Sequence, residues 1–198
     1  LEHANVDARW SLVHATHAND AEIQALANSG ASVVLCPNTE ANLGDGIFNA
    51  AAYLSAGGRI AIGSDSHNTI CPAQELRVLE YGQRLTRHER NVLAAGANQS
   101  TARSLLDHLL TSSAQTLGHA TGGISVGLRA DLFTLDREHP LLVERDADDC
   151  LAAWMFSAGR DCVRDVFVAG TQVIDKGQHA AQDRILARYR QALRTLKA

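Results

Sequence analysis

The chain has 198 residues, 45% of them hydrophobic, and a formal net charge of −4. That length and apolar content suffice for a real core, arranged as one large or two small domains. The mild acidity, with no cluster of Lys or Arg, leaves nothing for a nucleic-acid backbone or an anionic membrane to hold, so neither is an expected partner.

No apolar run reaches the roughly 18 residues that a membrane span needs, and LEHANVDARW lacks the basic-then-apolar pattern of a signal segment. A soluble protein is expected. Cys36, Cys71, Cys150 and Cys162 lie far apart with no CxxC pair, which indicates neither a disulfide framework nor a zinc knuckle and fits a reducing cytoplasm. LEHANV reads as the end of a helix already under way, with Val6 and Trp10 leading into a buried strand, as in a piece of something longer.

The first third holds three short apolar strands, Trp10 to His14 (WSLVH), Ser32 to Cys36 (SVVLC) and Arg59 to Gly63 (RIAIG), each bounded by turn formers. Between them NDAEIQALANSG opens at Asn19 or Asp20 and stops at Gly30, and IFNAAAYLSAGG stops at Gly57 and Gly58. The strands begin 22 and 27 residues apart, near the repeat of a (β/α) barrel, in which about 250 residues make eight units. A β-α-β-α-β order favours a parallel sheet. A doubly wound sheet is the alternative that periodicity leaves open.

From Pro72 to about Gly118 the pattern is helical, with Leu105, Leu106, Leu109 and Leu110 expected in the core. Glycine-rich turns and strand-like runs then follow from Gly122 to about Gly177: ISVG, ADLFTLD and DVFVAGTQVID, the last with a hairpin signal at Gly170-Thr171. Arg184 to Leu196 closes the chain as an amphipathic helix. The expected organisation is a partial (β/α) barrel with a helical extension over 1–121, a small β-domain over 122–180 and a C-terminal helix over 181–198.

If the three strands are adjacent and parallel, His14, Cys36 to Asn38 and Asp65 all stand at carboxyl ends, the face on which barrel enzymes place their chemistry. His14 and Asp65, 51 residues apart in sequence, would then lie two strands apart and close enough to share one water, roughly 6 Å or less between their nearest polar atoms. Each residue also has a plain reading. Asp65 would cap the helix that begins near Pro72, as Asp commonly does. His14 would be a hydrogen-bonded strand-end histidine. His17 forms HxxH with His14, but His14 ends a strand rather than riding on a helix, so the pair is a weak metal signal. His67 is read equally as orienting a substrate or as facing solvent. CPNTEANLGDGIF is read as a βα loop in which Pro37 stops the strand and Gly44 and Gly46 permit close turns.

Four strings together carry a resemblance: LVHATHAND, CPNTEANLGDGIF, GSDSH and GGISVGLRADLFTLD. From about Trp10 to Ile174 the chain resembles the amidohydrolase superfamily of metal-dependent hydrolases, and within it the formimidoylglutamate deiminases of histidine degradation. GSDS and the ADLxxLD string are common across the superfamily, whereas the first two strings narrow the likeness. The resemblance implies an α/β fold in which the chain supplies strands six to eight of a (β/α)8 TIM-type barrel, followed by the small β-domain and the terminal helix. It implies one divalent metal, most commonly zinc, held by HxH on the first strand, a His on the fifth and an Asp on the eighth. Of these the chain holds the aspartate, Asp65, as metal ligand and proton acceptor. His14 maps to the sixth-strand histidine that steadies the attacking water or the tetrahedral centre, so the implied catalytic residues are His14 and Asp65.

The general acid/base glutamate and the residues that grip a glutamyl carboxylate belong upstream of Leu1. The reaction implied for the intact enzyme is hydrolysis of N-formimino-L-glutamate to N-formyl-L-glutamate and ammonia, with the chain alone inactive. The partner is a small-molecule substrate, and a homodimer stays open. Two rivals remain: an amidohydrolase acting on an aminated purine, pterin or triazine ring, and a non-catalytic fragment whose site never forms.

Overall fold

A computed structural model describes residues 4–96 and 99–197. β1 (Ser11–Val13), β2 (Ser32–Leu35) and β3 (Arg59–Ile62) form a parallel sheet in that order, with Leu12 beside Val33 and Val33 beside Ile60. Helix α1 (Asp20–Ser29) joins β1 to β2. Asn19 and Glu22 close a capping box at its start, each side chain accepting the other's backbone N–H, and Gly30 ends it at φ 74°.

Two features of this region depart from the sequence reading. CPNTEANLGDGIF is not a plain loop: Pro37–Leu43 forms a short helix, α2, which Pro37 starts with its fixed φ at the first helical position. Nor is β1 buried. Val13 is 53% exposed and Trp10 46%, because among the described residues no strand pairs with the outer edge of β1. The first three residues of the helix end expected at LEHANV lie outside the described residues, and residues 4–10 form no helix.

Helix α3 (Ala50–Ser55), capped by the Asn49 side chain, leads to β3. Helices α4 (Pro72–Arg87) and α5 (Thr101–Leu117) follow. The face carrying Leu12, Val33, Leu35, Ile60 and Ile62 joins one apolar cluster with Ile23, Leu26, Phe48, Tyr53, Leu76, Leu79 and Leu105. Val13 and Val34, on the opposite face, stand outside it. Within α5 the core stripe is narrower than expected. Leu105 and Leu109 are buried, Leu106 is half-buried and Leu110 faces outward.

The second sheet is antiparallel, with β4 (Leu132–Leu135), β5 (Val163–Val168), β6 (Thr171–Asp175) and β7 (Gln178–His179) in that order. The β5–β6 turn falls on Ala169-Gly170, one residue earlier than read, and both residues take the positive φ that a two-residue hairpin demands. ISVG forms no strand; Ile124 and Val126 lie open to solvent in turns.

The 122–180 segment is also not wholly β. Helix α6 (Ala147–Ala153) continues through a π turn (Trp154–Ala158) and a 3-10 turn (Gly159–Cys162). Asp146 caps it by accepting the Asp149 N–H, and Cys150, Trp154, Met155 and Cys162 join the same core as α4 and α5. Helix α7 (Gln182–Leu196) is amphipathic but buries no residue. No helix among the described residues is long and apolar enough to cross a membrane.

Candidate active site

The β-ladder carries three loops to one end of the parallel sheet. His14 donates its backbone N–H to the Val34 carbonyl at 2.9 Å, and Gly63 donates to Leu35 at 2.9 Å, so the residues just past β1 and β3 stay in register with β2. Beyond that point the chain turns sharply. His14, Ala15 and Asp65 adopt φ of 67°, 53° and 44°, a left-handed backbone that costs non-glycine residues on the order of 1–3 kcal/mol and clusters at functional sites.

These turns bring the imidazole of His14 against two carboxylates. Its Nε2 lies 3.8 Å from Asp65 Oδ2. That is too long for a direct hydrogen bond and short enough for one small group to touch both. Its Nδ1 lies 3.1 Å from Glu40 Oε1. Glu40, on α2, is buried, and the same Oε1 accepts the Cys36 backbone N–H at 2.8 Å. The Thr39 hydroxyl donates to the Ser64 carbonyl at 3.1 Å, tying α2 to the loop that carries Asp65.

The Asp65 carboxylate is 41% exposed and caps no helix: α4 begins at Pro72 with Cys71 at its cap position. That removes the plain reading of this aspartate. His67 has a local role, its Nδ1 accepting the Thr69 N–H at 3.1 Å. His17 is exposed. With His14, Glu22 and Asp45 it lines a cleft of about 1080 Å³ along β1 and α1, and Asp65 lies outside that lining. Glu40 was missed in the sequence. Its one signal was Pro37 followed three residues later by an acid, a helix-start pattern inside what reads as a loop.

Cys36 is buried beside this group. Burial first, then the charges of Glu40, Asp65 and Glu75, push its thiol up to about 11 from the ordinary 9.0. Between about pH 9 and 11 the folded protein keeps a proton that the unfolded chain gives up, so stability falls as pH rises through that window. At about pH 8 iodoacetamide is expected to alkylate Cys36 at least about tenfold more slowly in the folded protein than in urea, because the thiolate is the nucleophile. Peptide mapping of the alkylated protein checks this, and equal rates would contradict it.

His14, Cys36 and Glu40 also place one potential ligand atom each within 4.8 Å of one another. The site thus combines a strained histidine between two carboxylates with a protonated thiol behind it.

The amidohydrolase family model matches residues 2–173. The chain belongs to the amidohydrolase family. It is 48% identical over 192 residues, 97% of its length, to a formimidoylglutamate deiminase from Pseudomonas aeruginosa, of which it covers 42%. A 5-methylthioadenosine/S-adenosylhomocysteine deaminase from Halobacterium salinarum is 34% identical over 66% of the chain and 30% of the relative. In structure, all of the chain superposes on 43% of an amidohydrolase from Brucella melitensis, with a TM-score of 0.90 and 41% identity. An adenosine deaminase from Xanthomonas campestris, crystallised with zinc, gives a TM-score of 0.78 at 27% identity, over 96% of this chain and 44% of that one. The chain spans less than half the length of these relatives.

Proposed function

We propose that the chain supplies the sixth, seventh and eighth strands of an amidohydrolase (β/α)8 barrel, and that the complete enzyme hydrolyses N-formimino-L-glutamate to N-formyl-L-glutamate and ammonia in histidine degradation. The observation that carries this reading is the 48% identity to a formimidoylglutamate deiminase, sustained over 97% of the chain. That span includes the two loops that hold His14 and Glu40.

In this reading the catalytic residues are His14 and Asp65, and Asp65 is also a ligand of a divalent metal, zinc. The donor set fits a cation. The Asp65 carboxylate is 41% exposed, and the salt-bridge-range contact it makes among the described residues is with His14 Nε2, at 3.8 Å, which leaves its oxygens open to an ion. When bound, such an ion supplies Lewis-acid activation of water near neutral pH. Asp65 accepts the water proton, and His14 Nε2, an acceptor, holds the attacking water in place as its oxygen adds to the amidine carbon. The terminal nitrogen takes up that proton, the added hydroxyl gives up its remaining proton to the same nitrogen as the C–N bond breaks, and ammonia leaves with both protons of the water while the N-formyl group remains. One inferred ligand of four is present in the chain, so the chain alone is expected to bind zinc weakly and to release no ammonia. The four cysteines are free thiols, which suits a cytoplasmic enzyme.

A ring-deaminating reading draws on the relatives that act on adenosine-type substrates. Ammonia release by the complete enzyme separates the two. We expect kcat/KM for N-formimino-L-glutamate to exceed that for adenosine or an aminotriazine by at least about 10²-fold, a floor below the roughly 10⁴-fold or greater rejection that unpaired polar groups impose on a wrong substrate. Preferential turnover of a ring overturns the proposal.

A further inference from the structure

We propose that Glu40 is a positioning residue for His14, holding the imidazole with Nδ1–H directed into the start of α2 and Nε2 directed at Asp65. The inference rests on the functional reading above for what His14 does, but not for how His14 is held.

Three observations carry it. Glu40 Oε1 lies 3.1 Å from His14 Nδ1 and at the same time accepts the Cys36 N–H at 2.8 Å, so the carboxylate oxygen is fixed from its own helix before it meets the ring. Its side chain is 7% exposed, which leaves little solvent to compete for the bond. The backbone of His14 is itself pinned, in a left-handed turn with its N–H on Val34. An oxygen in that position accepts, so the ring nitrogen facing it carries the hydrogen. In a neutral imidazole Nε2 is then left with its lone pair toward Asp65. Carboxylates behind functional histidines commonly set tautomer and ring orientation in this way.

The same three side chains have a competing use. His14, Cys36 and Glu40 lie close enough to ligate one metal ion. That site would need a Glu40 oxygen that is already bound to a backbone N–H. The orienting role is the better fit.

The test is long-range 1H–15N NMR on the protein labelled with 15N at histidine, with His14 assigned by the resonance lost in His14→Gln. The expected result is the Nδ1–H tautomer for His14. Glu40→Ala should shift it toward Nε2–H, and Glu40→Gln, whose amide oxygen still accepts, should retain it. In the complete enzyme Glu40→Ala should lower kcat by about 10–100-fold with KM within about threefold, and Glu40→Gln should recover most of that loss. An Nε2–H tautomer in the unaltered protein overturns the proposal, even if Glu40→Ala fails to fold. So does an unchanged tautomer in a folded Glu40→Ala, or added zinc that displaces the Nδ1 proton and binds Cys36. Absence of formiminoglutamate hydrolysis with the Nδ1–H tautomer intact would overturn the functional reading and leave the role of Glu40 standing.

Discussion

Asp65→Asn in the complete enzyme is expected to lower kcat for formiminoglutamate hydrolysis by at least about 10²-fold, the usual cost of losing acid–base help. The substitution keeps the shape of the side chain while removing its charge and its ability to accept a proton. The structure makes this a clean experiment. Asp65 caps no helix, is 41% exposed and stands 3.8 Å from His14 Nε2, beyond a direct hydrogen bond, so little of the fold depends on it. Were it the cap of α4, the substitution would instead change stability slightly and leave turnover alone, since Asn caps about as well as Asp. Ammonia release together with a thermal melt reads both effects. Near-normal turnover would mean that the wrong carboxylate has been assigned.

A comparably large effect is expected on stability from Glu80→Ala. Glu80 is wholly buried in α4. Its Oε1 accepts Arg84 Nε at 2.7 Å and the Val92 N–H at 3.1 Å, and its Oε2 accepts the Leu93 N–H at 3.0 Å. One carboxylate therefore fastens the segment after α4 back onto that helix. It also holds Arg84, whose guanidinium lies 5.1 Å from the Phe156 ring and 5.5 Å from that of Tyr81. Truncation leaves the guanidinium without its counter-charge, held only by Asn91 Oδ1 at 3.3 Å and the two rings, and leaves two backbone donors unpaired, a loss of about 3–5 kcal/mol for breaking a buried pair. Urea unfolding should show a lower midpoint with an unchanged slope. A change below about 0.5 kcal/mol would show that this network holds nothing together.

The sequence disclosed the parallel β2 and β3 because SVVL and RIAI are short β-branched or aliphatic runs between a glycine and a Pro or Gly, and such runs are buried wherever they pair. It disclosed α1 through Asn19, Glu22 and Gly30, whose capping chemistry is local. It misjudged β1, since WSLVH has the same composition as a buried strand and its exposure depends on what pairs with its outer edge. The helix 147–162 escaped notice because its surroundings are glycine-rich and strand-like, although Asp146 and the run CLAAWM carried the signal. At the site, His14 and Asp65 were legible as strand-end residues of a parallel sheet. Glu40 was not, because its contact with His14 spans 26 residues and exists only once Pro37 has started α2.

The central claim is that His14 and Asp65 serve one catalytic centre, and the double-mutant cycle of His14→Gln and Asp65→Asn tests it most directly. Residues that act as a unit are grossly non-additive, so the double variant should turn over formiminoglutamate about as slowly as the worse single variant. If the two losses in kcat/KM instead multiply, the residues work independently, and the 3.8 Å approach of His14 Nε2 to Asp65 is not the heart of the site.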